Sequence, residues 1–149
     1  MNRLSKWASA LFLSLIALIS QPVLAEQFVK YDNYEIHYNA FYSTFIKPDV
    51  AQAIGIQRSK RRALVNVSVL KIKDGEKKPV SAFVKGQATS LIQQSQNLDF
   101  KKVDEGNAIY YIGQFGFTDD QVMRLSLEVQ PDPNKPAYTV KFEQRFYEE

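Results

Sequence analysis

Along residues 123–129 apolar and polar positions alternate: Met123, Leu125, Leu127 and Val129 are separated by Arg124, Ser126 and Glu128. A period of two sends the first set to one face of a β-strand and the second to the other. Tyr138-Thr-Val-Lys-Phe-Glu-Gln-Arg-Phe-Tyr147 repeats the pattern. Tyr138, Val140, Phe142 and Phe146 share one face, and Thr139, Lys141, Glu143 and Arg145 the other. Both segments read as half-buried strands with one wet face. Val65, Val67 and Val69 alternate with Asn66 and Ser68, while Leu64 and Leu70 make parts of both faces of that strand apolar. Residues 108–117 are apolar on both sides and are expected at the centre of a sheet. Residues 34–45 are long and aromatic, and are expected to bend or change partner.

Turn residues divide these runs. Asp74-Gly75 predicts a tight hairpin. Glu105-Gly106-Asn107 separates a strand expected over 98–103 from the one that follows, and Thr118-Asp119-Asp120 separates two more. Pro131-Asp-Pro-Asn-Lys-Pro136 is a stiff loop before the last strand. Gly86, inside the run 80–91, predicts a bulge or a close backbone approach. Pro48 and Gly55 bracket one short helix in the usual order, with Asp49 in its first turn and Val50 and Ile54 on one face. Residues 90–97 read as a helical turn or a polar loop. Seven or eight strands and one short helix predict an all-β fold: an antiparallel β-sandwich, immunoglobulin-like in architecture. A small β-barrel is the alternative. The Cys…Trp…Cys signature of true immunoglobulin domains is absent, so that likeness is architectural only.

The first 25 residues have a different character. Arg3 and Lys6 precede an apolar stretch from Ala8 to Ser20, Pro22 breaks it, and Val23-Leu24-Ala25 supplies small residues for cleavage. This order predicts a secretory signal over 1–25; an uncleaved anchor is the alternative, although the stretch is short of the roughly 20 residues a span needs. The expected product is a single β-sandwich domain over 26–149, exported and with no membrane span after cleavage. Loss of Arg3 and Lys6 reduces the 19 basic residues to 17 against 16 acidic ones, a net of +1. That balance argues against nucleic-acid binding by bulk charge. The chain has no cysteine, which removes disulfides, thiolate zinc and a thiol nucleophile.

Four blocks carry a resemblance: Tyr34-Glu-Ile-His-Tyr-Asn-Ala-Phe-Tyr-Ser-Thr-Phe45, Arg58-Ser-Lys-Arg-Arg-Ala-Leu-Val-Asn-Val-Ser-Val69, Ala108-Ile-Tyr-Tyr-Ile-Gly-Gln-Phe-Gly-Phe117 and Phe142-Glu-Gln-Arg-Phe-Tyr147. Together they resemble the exported proteobacterial proteins of the domain of unknown function 4426 family. The resemblance implies a Gram-negative source and a periplasmic location, and it implies no activity.

Catalytic and metal chemistry find little support. His37 is the only histidine; it lies in a strand pattern without a Gly-x-Ser-x-Gly elbow and is expected to sit beside aromatic neighbours and donate one hydrogen bond. One histidine and no cysteine are few for zinc. Asp119-Asp120 and Asp132/Asn134 lack calcium-loop spacing and read as turn residues. No metal or other cofactor is expected. The most distinctive feature is Arg58-Ser-Lys-Arg-Arg62, four cations in five residues. Arg58, Lys60, Arg61 and Arg62 read either as a solvated loop or guarded edge strand, or as a contact for carboxylates or phosphates. Asn39, Ser43 and Thr44 are the polar residues expected beside them. The leading functional expectation is a non-enzymatic module that binds another protein or an anionic envelope component. A glycan or small-ligand module built on Tyr31, Tyr34, Tyr38, Phe41, Tyr42, Tyr110 and Tyr111 is the alternative. A hydrolase built on carboxylates or His37 is the third reading.

Overall fold

The computed structural model describes residues 27–149, so the expected signal over 1–25 lies outside the described residues. The alternating segments form strands, and there are ten among the described residues: β1 (Phe28–Tyr31), β2 (Tyr34–Tyr42), β3 (Arg62–Lys73), β4 (Glu76–Pro79), β5 (Phe83–Ser90), β6 (Ser95–Leu98), β7 (Lys101–Asp104), β8 (Ile109–Gly116), β9 (Gln121–Gln130) and β10 (Tyr138–Phe146). One helix, α1 (Pro48–Ile54), follows a short 3-10 turn, Ser43–Phe45. The strands pair antiparallel in two sheets. One has the order β1-β2-β3-β8-β7, with β4 paired to the far end of β3; the other has the order β10-β9-β5-β6. The fold is an antiparallel β-sandwich.

Period two decides what fills the space between the sheets. Ile36, Val65, Val67, Val69, Tyr111 and Phe115 face inward from the larger sheet, and Met123, Leu125, Leu127, Val129, Val140 and Phe146 from the smaller. Phe146 meets Phe115 edge-on with centroids 5.3 Å apart, and Tyr42 meets it in the same way at 5.8 Å. β3 carries apolar residues on both faces because α1 covers the outside of the larger sheet. Leu64 is fully buried there with Ala51 and Ile56, against Phe41, Ile46, Ile54 and Ile112. Ala51, rather than Val50, is the buried contact of the helix; Val50 is exposed.

The two sheets are also joined by side-chain hydrogen bonds. The Tyr31 hydroxyl on β1 donates to the Thr139 carbonyl on β10 (2.8 Å). Gln144 Nε2 reaches the Ala40 carbonyl (3.3 Å), and the Tyr147 amide donates to the Tyr42 hydroxyl (3.1 Å). On the opposite seam the Gln96 side chain pairs with both backbone groups of Gly116, its Nε2 donating to the carbonyl (2.8 Å) and its Oε1 accepting from the amide (2.9 Å). The Tyr138 hydroxyl donates to Asp32 (2.5 Å) and stacks on Tyr31; that hydrogen bond, helped by burial, pushes its pKa up to about 12.

Two local expectations change, and at Gly86 one of two alternatives holds. Residues 98–103 do not form one strand: the chain leaves the smaller sheet after Leu98 and enters the larger one at Lys101. Residues 90–97 contain a tight turn followed by β6, rather than a helical turn or a loop alone. Gly86 makes no bulge, because the β5–β9 register runs unbroken from Phe83 to Ser90. It is a close approach: a Cβ there would lie 2.7 Å from the Ser126 carbonyl oxygen and 2.9 Å from Leu127 Cδ2. The Asp74-Gly75 hairpin forms as expected, with both residues at positive φ (53° and 77°).

Gly86→Ala should therefore lower stability by about 2 kcal/mol, read as a fall in the urea midpoint at unchanged slope. An unchanged midpoint would show that the β5–β9 contact has room to spare.

Candidate functional site

Two segments meet at one end of the sandwich. β2 ends at Tyr42, turns through Ser43–Phe45 into α1, and returns through residues 57–61 to enter β3. Ser43 holds this loop closed. Its hydroxyl is fully buried; it donates to the Ser59 carbonyl and accepts from the Ser59 amide, both at 2.9 Å. Arg58 Nη2 donates to the Thr44 carbonyl at 3.2 Å. The Phe117 amide donates to the Arg61 carbonyl at 3.0 Å, which ties the loop to the segment after β8.

The residues after β10 then cross this surface. Both Arg61 Nε and Nη2 lie 2.9 Å from Glu148 Oε2. The Thr44 hydroxyl donates to a Glu149 carboxylate oxygen. The Glu148 amide donates to Asp119 Oδ1 (2.9 Å), and Arg145 pairs with Asp120 (2.6 Å). The hydrogen bond to Glu148, reinforced by its charge, holds the Arg61 guanidinium above its ordinary value.

The structure thus gathers Arg58, Lys60, Arg61, Ser43 and Thr44 at one end. Arg58, Lys60 and Arg61 are exposed, while Arg62 is half-buried as the first residue of β3. β3 lies between β2 and β8, so the run is a solvated loop leading into an interior strand, and no guarded edge. Asn39 is separate. It lies on β2 opposite Asn66, four residues and about 13 Å of extended chain before Ser43. Glu148 and Glu149 carry no signal in the sequence and Asp119 reads there only as a turn residue, because their approach depends on where β10 and the β8–β9 turn end. Exposed apolar residues lie at the same end: Phe45 (68%) and Tyr147 (51%) beside the loop, and Leu91 and Ile92 on the β5–β6 turn.

A second cluster lies on the outer face of the larger sheet. Glu35 and His37 are two residues apart on β2 and therefore share that face. Glu35 is 1% exposed. His37 Nε2 lies 2.5 Å from Glu35 Oε1, and Lys77 Nζ of β4 lies 3.1 Å from Glu35 Oε2. Phe28 stacks on the imidazole at 5.2 Å. Burial raises the Glu35 carboxyl, but the hydrogen bonds and charges of Lys77 and His37 outweigh it and hold the group below its ordinary value. Beyond His37 a hollow of ≈ 200 Å³ is lined by Ser68, Pro79, Asn107 and Tyr110, among others. The E-x-H spacing was the signal that could have revealed the pair; Lys77 carries no such signal.

A concavity of ≈ 670 Å³ forms a polar trough across the outer face of the smaller sheet, with Gln87, Asn97, Ser126 and Lys141 in one row. The ion pair Lys85–Glu128 (3.0 Å) closes one side. None of the seven rings Tyr31, Tyr34, Tyr38, Phe41, Tyr42, Tyr110 and Tyr111 is exposed; Tyr34 and Tyr111 are buried.

These features define a two-sheet β-sandwich with a charged loop end and a paired, buried carboxylate. The sequence model of the domain of unknown function DUF4426 matches residues 28–149, and the chain belongs to that family. It is similar to a DUF4426 family protein from Pseudomonas aeruginosa PAO1 (31% identity, 85% of this chain and 98% of that one, TM-score 0.72). A copper-bound variant of FetP from uropathogenic Escherichia coli shares the fold at 11% identity, over 82% of this chain and 95% of that one, with a TM-score of 0.57. FetP from the same source, as isolated after expression in the periplasm, matches at 11% identity over 83% and 94% with a TM-score of 0.56. No curated relative matches the chain. Among the described residues no helix is long and apolar enough to cross a membrane.

The Glu35 cluster gives a pH prediction. A carboxyl lowered by folding contributes stability that is present above its ordinary value of 4.5 and is lost as pH falls through the lower folded value. The stability advantage of the unaltered chain over Glu35→Gln should shrink on acidification below that ordinary value. Urea midpoints of both chains across an acid series read this directly. A constant difference would mean that Glu35 is not the titrating group.

Proposed function

We propose that this protein is a non-enzymatic binding module of the periplasm, and that its contact surface is the loop end of the sandwich. The observation that carries the reading is the company the cations keep. Arg58, Lys60 and Arg61 share that end with Phe45, Tyr147, Leu91 and Ile92, all exposed. Arginine and aromatic side chains grouped in this way are what protein interfaces enrich. This favours another protein, with acidic groups opposite the arginines, over a bare anionic envelope component. The periplasmic address is supported by the secretory pattern of residues 1–25 and by the likeness to a FetP chain expressed in that compartment.

The copper of the FetP variant does not fit the described residues of this chain. Copper sites draw on several imidazole, thiolate or thioether donors. Among the described residues, no three His, Cys, Asp or Glu side chains converge. The Glu35 carboxylate that touches His37 is also held by Lys77, and Met123 is buried between the sheets. The pairing of His37 with Glu35 on that crowded face supports a structural role over catalysis. A glycan module built on the seven rings named above is the less favoured reading, since two of them are buried and the other five half-buried.

Replacing Arg58, Lys60 and Arg61 together by Glu should abolish capture of the partner from periplasmic extract. The three side chains are exposed, so the circular dichroism spectrum should be retained, while loss of the Arg61–Glu148 pair should lower the urea midpoint only modestly. An unchanged set of captured proteins would remove the loop end as the contact surface.

A further inference from the structure

We propose that Tyr147, Glu148 and Glu149 are a built-in competitor for the Arg58–Arg61 surface, and that the partner engages it with a like segment, an aromatic residue followed by two carboxylates. This rests on the reading of the loop end as a binding surface and adds both its ligand chemistry and its regulation.

The structure displays the chemistry by filling the site from the chain itself. One carboxylate is held by two nitrogens of Arg61 (2.9 Å each), and the next accepts from the Thr44 hydroxyl. Two amides set the path: that of Tyr147 donates to the Tyr42 hydroxyl, and that of Glu148 to Asp119. The Tyr147 ring remains half exposed (51%). These residues bury nothing in the core, which β10 completes at Phe146. Their hold is polar and open to water, the kind of contact that exchanges readily. A partner's segment can reproduce each of these contacts. It must first displace an occupant tethered at an effective concentration of the order of millimolar. The segment therefore weakens binding to any acidic ligand that uses Arg61 and makes the surface selective for one that brings additional contacts, for which Arg58, Lys60 and Phe45 lie exposed alongside.

The test uses a fluorescent peptide, Phe-Tyr-Glu-Glu, with Phe-Tyr-Gln-Gln as control, and reads polarisation. The double variant Glu148→Gln, Glu149→Gln should bind the acidic peptide about tenfold more tightly than the unaltered chain. Adding Arg61→Glu to it should lose that gain, and the control peptide should bind neither chain. Equal affinity of the unaltered and double-variant chains, or no binding by either, overturns the proposal. So does tight binding that survives Arg61→Glu. Dimerisation of the unaltered chain that the double variant abolishes places the segment on a second copy and likewise overturns the assignment in cis. The peptide assay and the extract capture fail separately. Lost capture with no peptide effect leaves the loop end standing without the competitor. A peptide effect with unchanged capture leaves the competitor standing without that partner.

Discussion

A sandwich without disulfides must fix one sheet over the other by other means, and here aromatic side chains with polar tips do so. Tyr31 carries its ring into the stack with Tyr138 and its hydroxyl to the backbone of β10. Tyr42 packs on Phe146 and Phe117 while its hydroxyl accepts the amide of Tyr147. Tyr111 is buried among the aliphatics, and its hydroxyl accepts the Ala82 amide (2.9 Å) at the start of the smaller sheet. Burying such a ring contributes apolar area, and the hydrogen bond at its tip avoids the cost of an unpaired hydroxyl. The ring sets the spacing of the layers and the tip sets their register. The same demand draws Tyr31, Tyr42 and Tyr111 towards the interior.

This locking determines what the loop end can present. Because Tyr42 fixes the amide of Tyr147, the next two residues are aimed across the Ser43–Ser59 clamp towards Arg61 and Thr44. The Tyr42 hydroxyl is thus one of the links between the core and the charged surface. On the other side of the larger sheet, α1 and the Glu35–His37–Lys77 cluster divide the outer face between them. The helix covers the half nearest the loop end, where Leu64 needs cover, and the ionic cluster occupies the half where β4 supplies Lys77.

Long strands with a wet face were legible. β9 and β10 stand in the sequence as plain alternation, and β3 shows its double cover in Leu64. The four-residue strands were not. Ser95–Leu98 reads Ser-Gln-Asn-Leu, which has no period; it becomes β6 because β5 offers an edge and Gln96 finds the backbone of Gly116. The crossing at Asp99 and Phe100 is equally silent, because both flanks are short. For the candidate site, the local charge run and its proximity to Ser43 and Thr44 followed from chain order, since α1 forces a quick return. Asn39 did not join them because β2 runs straight through it. Glu148 and Asp119 come from distant parts of the chain, and only the pairing of β10 with β9 brings them to the arginines.

The order of strands in the smaller sheet has a bearing on how the chain matures. β9 is central there, flanked by β5 before it in sequence and β10 after it. While synthesis proceeds from the first residue onward, Met123, Leu125, Leu127 and Val129 are made before the strand that completes their cover. β9 therefore keeps one edge unpaired until Phe146 has emerged, and an unpaired strand edge is where a partly made sheet is open to wrong pairing.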